Sequence, residues 1–196
     1  MVFSSHIFLF VFLPLALAGY YALPRRGRNL FLTLVSYVFY GWSNPAFTLL
    51  MLVSTLIDYV AGLLIAEQWR PSAWSRPVEP LTPGGPRSAL QRAGVVMSIV
   101  SNLALLGFFK YFNFAVDSWN ALADLLGHPG ATIETTLRVV LPLGISFYTF
   151  QSMSYSIDVY RGHARAIWNF IDFACYVAMF PQLVAGPIIR FAEVAK

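Results

Sequence analysis

Leu141-Pro-Leu-Gly-Ile-Ser-Phe-Tyr-Thr-Phe-Gln-Ser-Met-Ser-Tyr-Ser-Ile-Asp-Val-Tyr-Arg-Gly162 has the apolar length of a membrane span, yet it is dense in hydrogen-bonding side chains. At helical spacing Gln151, Ser154 and Asp158 share one face, and Thr149, Ser152 and Ser156 form a neighbouring stripe. Unsatisfied polar groups are costly in hydrocarbon, so a lipid-facing helix would not carry two such stripes. Two explanations fit: the polar groups glue helices together, or they line an enclosed polar path. Ser146, Thr149, Gln151, Ser154 and Asp158 are the candidates in this segment for such a path.

The rest of the 196-residue chain has the same character. It is 58% hydrophobic and 11% charged, against about 25% charged for a soluble domain, so it lacks the polar surface to cover a core in water. A hydrocarbon layer of about 30 Å takes about 20 apolar residues of helix. Six segments meet or approach that length: 3–23, 29–43, 45–66, 93–112, 139–159 and 168–186. The expected fold is all-α and polytopic, with about six spans in one domain over 1–196. Pro45 can open a helix but not continue one, and marks a tight turn between the second and third spans. Residues 114–126 bring Phe114, Trp119, Leu122 and Leu125 near one face, which predicts a separate helix lying in the outer interface.

The net charge of +4 reflects 13 basic against nine acidic residues. The arginines fall in short loops: Arg25, Arg26 and Arg28 after the first span, Arg70, Arg76, Arg87 and Arg92 in 67–92, and Arg161 and Arg165 around His163. With six spans and an outer N-terminus, all three loops face the cytoplasm, as the positive-inside rule requires. Nucleic-acid binding would instead gather basic residues along one polar face. Residues 1–6 hold no Lys or Arg, so a retained first helix is expected rather than a cleaved signal. The stretch 71–88, with Pro71, Pro77, Pro80, Pro83 and Pro86, reads as a flexible cytoplasmic loop.

Two further segments carry candidate chemistry. Asp58, in Ser54-Thr-Leu-Ile-Asp58-Tyr, is an ionisable residue inside a span and so a candidate site residue. A structural bond to a Tyr or Arg of another helix is the alternative. Met179-Phe-Pro-Gln-Leu-Val-Ala-Gly-Pro-Ile-Ile-Arg190 cannot run as intact helix, which predicts a re-entrant turn carrying Gln182 beside a pocket. Asp158 is expected near the cytoplasmic boundary, within reach of Arg161. Walker A, Gly-rich dinucleotide and Gly-x-Ser-x-Gly motifs do not occur. His6, His128 and His163 have no metal-ligand spacing, and the single Cys175 excludes an internal disulfide.

Tyr40-Gly-Trp42 with Pro45, Asp58-Tyr-Val-Ala-Gly62, Phe109-Lys-Tyr-Phe112, Leu141–Gln151, Ile157–Arg161 and Phe180–Ile188 resemble, in order, successive landmarks of the membrane-bound O-acyltransferase family, alginate O-acetylation type. The resemblance implies the N-terminal portion of such a domain in a bacterial inner membrane. It implies acetyl transfer from a cytoplasmic donor, acetyl-CoA, through a central funnel to alginate or a related exopolysaccharide, with periplasmic polysaccharide-acetylation proteins as partners. Asp58, Ser146, Thr149, Gln151, Ser154, Asp158 and Gln182 would line that path. Nothing here matches the family's catalytic histidine motif, so no catalytic residue is assigned and residues 1–196 alone are expected to be inactive. D-alanyl transfer to teichoic acid, or a small transporter using Asp58, Gln151 and Asp158, are the alternatives.

Overall fold

The computed structural model describes residues 5–43, 45–68, 79–128, 133, 139, 144–187 and 189–194, and no strand occurs among them. A π-helix over Phe8–Phe12 leads into α1, Leu13–Ala22. Then come α2, Arg25–Ser43, α3, Pro45–Ile65, and α4, Ala89–Leu125. The chain continues through α5, Ile145–Arg161, α6, Phe170–Ala178, α7, Phe180–Ala185, and α8, Phe191–Val194.

Local chemistry sets several of these boundaries. Pro45 opens α3, where its missing N–H costs nothing. Ser88 and Gln91 form a capping box at the start of α4: Ser88 Oγ accepts from the Gln91 N–H at 3.2 Å, and Gln91 Oε1 accepts from the Ser88 N–H at 2.9 Å. α5 is bracketed by two left-handed glycines, Gly144 at φ 81° and Gly162 at φ 80°. At Gly162 the His163 N–H reaches back to the Asp158 carbonyl at 2.9 Å, the Schellman pattern that satisfies a helix end.

The structure bears on the sequence expectation in three places. Residues 114–126 are no separate interfacial helix but the continuation of α4, which runs unbroken for 37 residues. That is about 55 Å of helix. Between Gly107 and Gly127 the sequence offers no breaker, and Asn113 and Asn120 exchange paired hydrogen bonds with the backbone of Val139 and Ile133, holding those two residues against this half of the helix. The expected span 168–186 is broken at Met179, as the Pro and Gly residues of that segment demand. Finally, the described end of the Pro-rich stretch is pinned. Arg87 donates to the Tyr160 carbonyl at 2.7 Å and to the Thr82 carbonyl at 3.0 Å, fastening it to the end of α5. Residues 69–78, including Arg70 and Arg76, lie outside the described residues, as do 140–143 of the expected fifth span.

Polar side chains are buried within an apolar core, while many large apolar ones are exposed. Ser36, Thr55, Asp58, Ser98, Asn102, Thr149, Ser152 and Ser156 are fully buried, whereas Leu34, Val38, Leu49, Leu56, Val100 and Phe108 are exposed. Water disfavours so many exposed large apolar side chains; lipid accepts them. Pro45–Ile65 and Ala89–Leu125 are long and apolar enough to cross a membrane, and Phe8–Ala22 and Phe170–Val184 are shorter apolar segments. The chain is an all-α membrane protein. At its centre α5 packs against α3, α4, α6, α7 and α8. Its Tyr155 ring fits against α3 because residue 62 is glycine, where a Cβ would collide with the phenol.

Gly162 carries a testable consequence. A side chain there meets both a left-handed backbone and the Leu81 carbonyl, and the backbone strain alone costs about 1–2 kcal/mol. Gly162→Ala should lower the unfolding midpoint in detergent by roughly 4 °C or more. Gly107→Ala, inside α4 at a position with nothing within 4 Å, should hold or raise it. Equal midpoints for the two variants would contradict the packing described.

Candidate functional site

The polar centre of the bundle is built around Asp58 on α3. Its carboxylate accepts from Ser98 Oγ at 2.6 Å and from Asn102 Nδ2 at 2.8 and 2.9 Å, both on α4, and from Ser152 Oγ on α5. The partners are hydroxyls and an amide; the Tyr or Arg partner considered from sequence is not among them. One turn earlier on α3, Thr55 Oγ1 lies 3.0 Å from the Tyr148 hydroxyl and 3.3 Å from the Tyr37 hydroxyl, adding α2 to the same seam. Interhelical bonds of this kind satisfy groups that lipid cannot.

The stripe of Gln151, Ser154 and Asp158 on α5 faces the other way. Gln151 Nε2 donates to the Tyr176 carbonyl on α6. Ser154 Oγ accepts from the Phe191 N–H at 3.0 Å, and Asp158 Oδ2 accepts from the Ala192 N–H at 3.0 Å. Together they hold the first turn of α8. Asp158 pairs with Arg190 at 3.7 Å, with the His163 Nδ1 at 4.0 Å. The expected pairing with Arg161 is not what the structure shows: Asp158 turns inward to 1% exposure, while Arg161, three residues on, is exposed.

Of the remaining candidates, Ser146 is half-buried on the first turn of α5 and Gln182 half-buried on α7. Thr149 is fully buried, and its hydroxyl has no hydrogen-bond partner; the same holds for Ser156. The structure therefore brings Asp58 to one side of α5 and Gln151, Ser154 and Asp158 to the other, rather than gathering all seven at one point. Two apolar cavities, of about 370 Å³ beside Phe12, Phe31 and Trp42 and about 250 Å³ beside Trp119 and Leu126, involve none of the seven. Among the described residues no group of His, Cys, Asp or Glu could hold a metal. Sequence reasoning missed Ser98 and Asn102. Their signal was present: two polar residues at i, i+4 within the apolar run 93–112.

The α8 clamp makes a direct prediction. A backbone hydrogen bond to a carboxylate is worth about 1.5–3 kcal/mol, so Asp158→Ala should free the turn at 190–192. Tryptic cleavage after Arg190 in detergent-solubilised protein should then accelerate about tenfold or more, with α3–α5 still resistant. Unchanged cleavage would show that Asp158 does not hold this turn.

Comparison with known proteins adds the evolutionary context. The chain is 43% identical over 193 residues to "Probable alginate O-acetylase AlgI" of Pseudomonas aeruginosa, covering 98% of this chain and 34% of that protein. The protein of the same name from Azotobacter vinelandii is also 43% identical over 193 residues, covering 98% of this chain and 35% of the relative. A "Peptidoglycan O-acetyltransferase" of Helicobacter pylori is 28% identical over 222 residues, covering 98% of this chain and 38% of its own length. The chain thus spans about a third of the length of the curated relatives it matches. No family model and no solved structure matches it. The identity to the alginate O-acetylases is sustained across essentially the whole chain, which is similar to a third of each of those proteins.

Proposed function

We propose that this chain forms the N-terminal part of a membrane O-acyltransferase that passes acetyl groups from a cytoplasmic donor across the bacterial inner membrane for O-acetylation of alginate or a related exopolysaccharide. The observation that carries this reading is the enclosed polar seam around α5, at membrane depth, in a chain related to alginate O-acetylases. Acetyl-CoA is the donor in this reading. The protein is multi-pass with its N-terminus in the periplasm, and works with periplasmic polysaccharide-acetylation proteins.

Two roles divide the seven candidates. Asp58, Gln151, Ser154 and Asp158 spend their hydrogen bonds on neighbouring helices and keep the wall rigid. Ser146 and Gln182, both half-buried, are the groups left to meet a substrate; Thr149 is fully buried with an unpartnered hydroxyl. A thioester already has a good leaving group, so the transfer needs a base at the acceptor and a site without water. A fixed helical frame supplies the second of these. The base is not assigned to this chain: His6, His128 and His163 are all exposed. The Helicobacter pylori relative favours a second reading, with peptidoglycan as acceptor.

A chimera tests the proposal. This chain would replace the matching segment of the Pseudomonas aeruginosa relative in cells lacking their own copy, and acetyl esters would be measured on purified alginate. Restored acetylation supports the reading. Unacetylated alginate with the chimera at normal membrane levels contradicts it, and acetylated peptidoglycan in those cells supports the second reading. The isolated chain in lipid with acetyl-CoA should transfer no acetyl group; measurable transfer would refute its assignment to the frame alone.

A further inference from the structure

Between α6 and α7 the helix breaks at Met179, whose ψ of 110° turns the backbone out of helical geometry. In an unbroken helix the Phe180 N–H would bond to the Tyr176 carbonyl. Here the two groups part, both on buried residues. The Phe180 N–H donates to Ser36 Oγ on α2 at 3.2 Å, and the Tyr176 carbonyl accepts from Gln151 Nε2 on α5. Ser36, Gln151 and Phe180 are buried, at 0%, 4% and 3% exposure. Broken backbone at membrane depth is stable only where the protein satisfies such groups, and these two side chains do so from opposite flanks.

Packing holds the elbow in one place. The Phe180 ring lies among Phe8, Phe12 and Phe39, with centroids at 6.1, 5.5 and 5.4 Å. Pro181 has no N–H with which to rejoin α6. At the far end of α7 the Gly186 N–H bonds to the Gln182 carbonyl at 2.9 Å, and a Cβ on Gly186 would run into Gln182. The six residues of α7 are thus bracketed by two fixed turns.

We propose that Ser36 is a positioning residue: paired with Gln151, it locks the α6–α7 elbow and so sets where α7 presents Gln182 beside α5. The consequence for acetyl transfer rests on the function proposed above; the elbow itself does not.

Hydrogen exchange on this chain in lipid nanodiscs, with activity of the chimera, tests both parts. Ser36→Ala should raise amide exchange in 179–186 about fivefold or more and leave α3 and α4 protected, whereas Ser36→Thr, which keeps the hydroxyl, should retain protection. Gln151→Met should loosen the same segment from the other side, and it decides the matter if Ser36→Ala does not fold. In the chimera Ser36→Ala should lower kcat about fivefold or more with KM for the donor little changed, and Ser36→Thr should rescue it. Unchanged exchange in 179–186 for both Ser36→Ala and Gln151→Met overturns the proposal. Loosening of the segment with full kcat overturns the positioning role. A chimera inactive even with native Ser36 counts against the proposed function alone, and the exchange result then judges the elbow.

Discussion

Lipid offers a carboxylate no hydrogen bonds, so Asp58 can lie at membrane depth only where protein donors surround it. Ser98, Asn102 and Ser152 provide them, and in doing so they fix the register of α3, α4 and α5 against one another. Sliding any of these helices by one turn, about 5.4 Å, would strand the carboxylate and its donors together. The close seat of Tyr155 against Gly62, one turn from Asp58, depends on the same register. Apolar contact alone sets register weakly in a bilayer, because lipid tails compete with side chains on equal terms.

Once that register is set, the opposite face of α5 becomes a platform. Gln151, Ser154 and Asp158 project from it at helical spacing, and each captures a backbone group of a segment too short to cross the membrane by itself. The residues that flank the break, Tyr176 before it and Phe191 and Ala192 after it, are therefore tied to α5. A rigid wall of this kind suits the acyl passage proposed above, and most of the polar side chains in the segment are already engaged in building it.

Much of this was readable from residues. The two stripes of α5 follow from 3.6-residue spacing, and the interruption near Met179 from Pro181, Gly186 and Pro187. Asp58 stands out because an ionisable group inside an apolar run needs a reason. Its partners were harder to read: Ser98 and Asn102 are 40 and 44 residues away, and spacing along one helix does not say which helix it faces. Residues 114–126 were misread because an interfacial helix and the tail of a long straight one share the same apolar periodicity. Only the lack of a breaker between Gly107 and Gly127 tells them apart. For Asp158, nearness in sequence favoured Arg161, but the inward turn of the carboxylate selected Arg190 instead.

The most direct measurement is a double-mutant cycle between Asp58 and Asn102 by reversible unfolding in detergent–lipid micelles, using Asp58→Leu, Asn102→Leu and the pair. If the carboxylate couples α3 to α4, the two losses will fail to add, leaving an interaction energy of about 1–2 kcal/mol. Losses that simply sum would mean that Asp58 does not hold these helices together, and the platform built on them would lose its foundation.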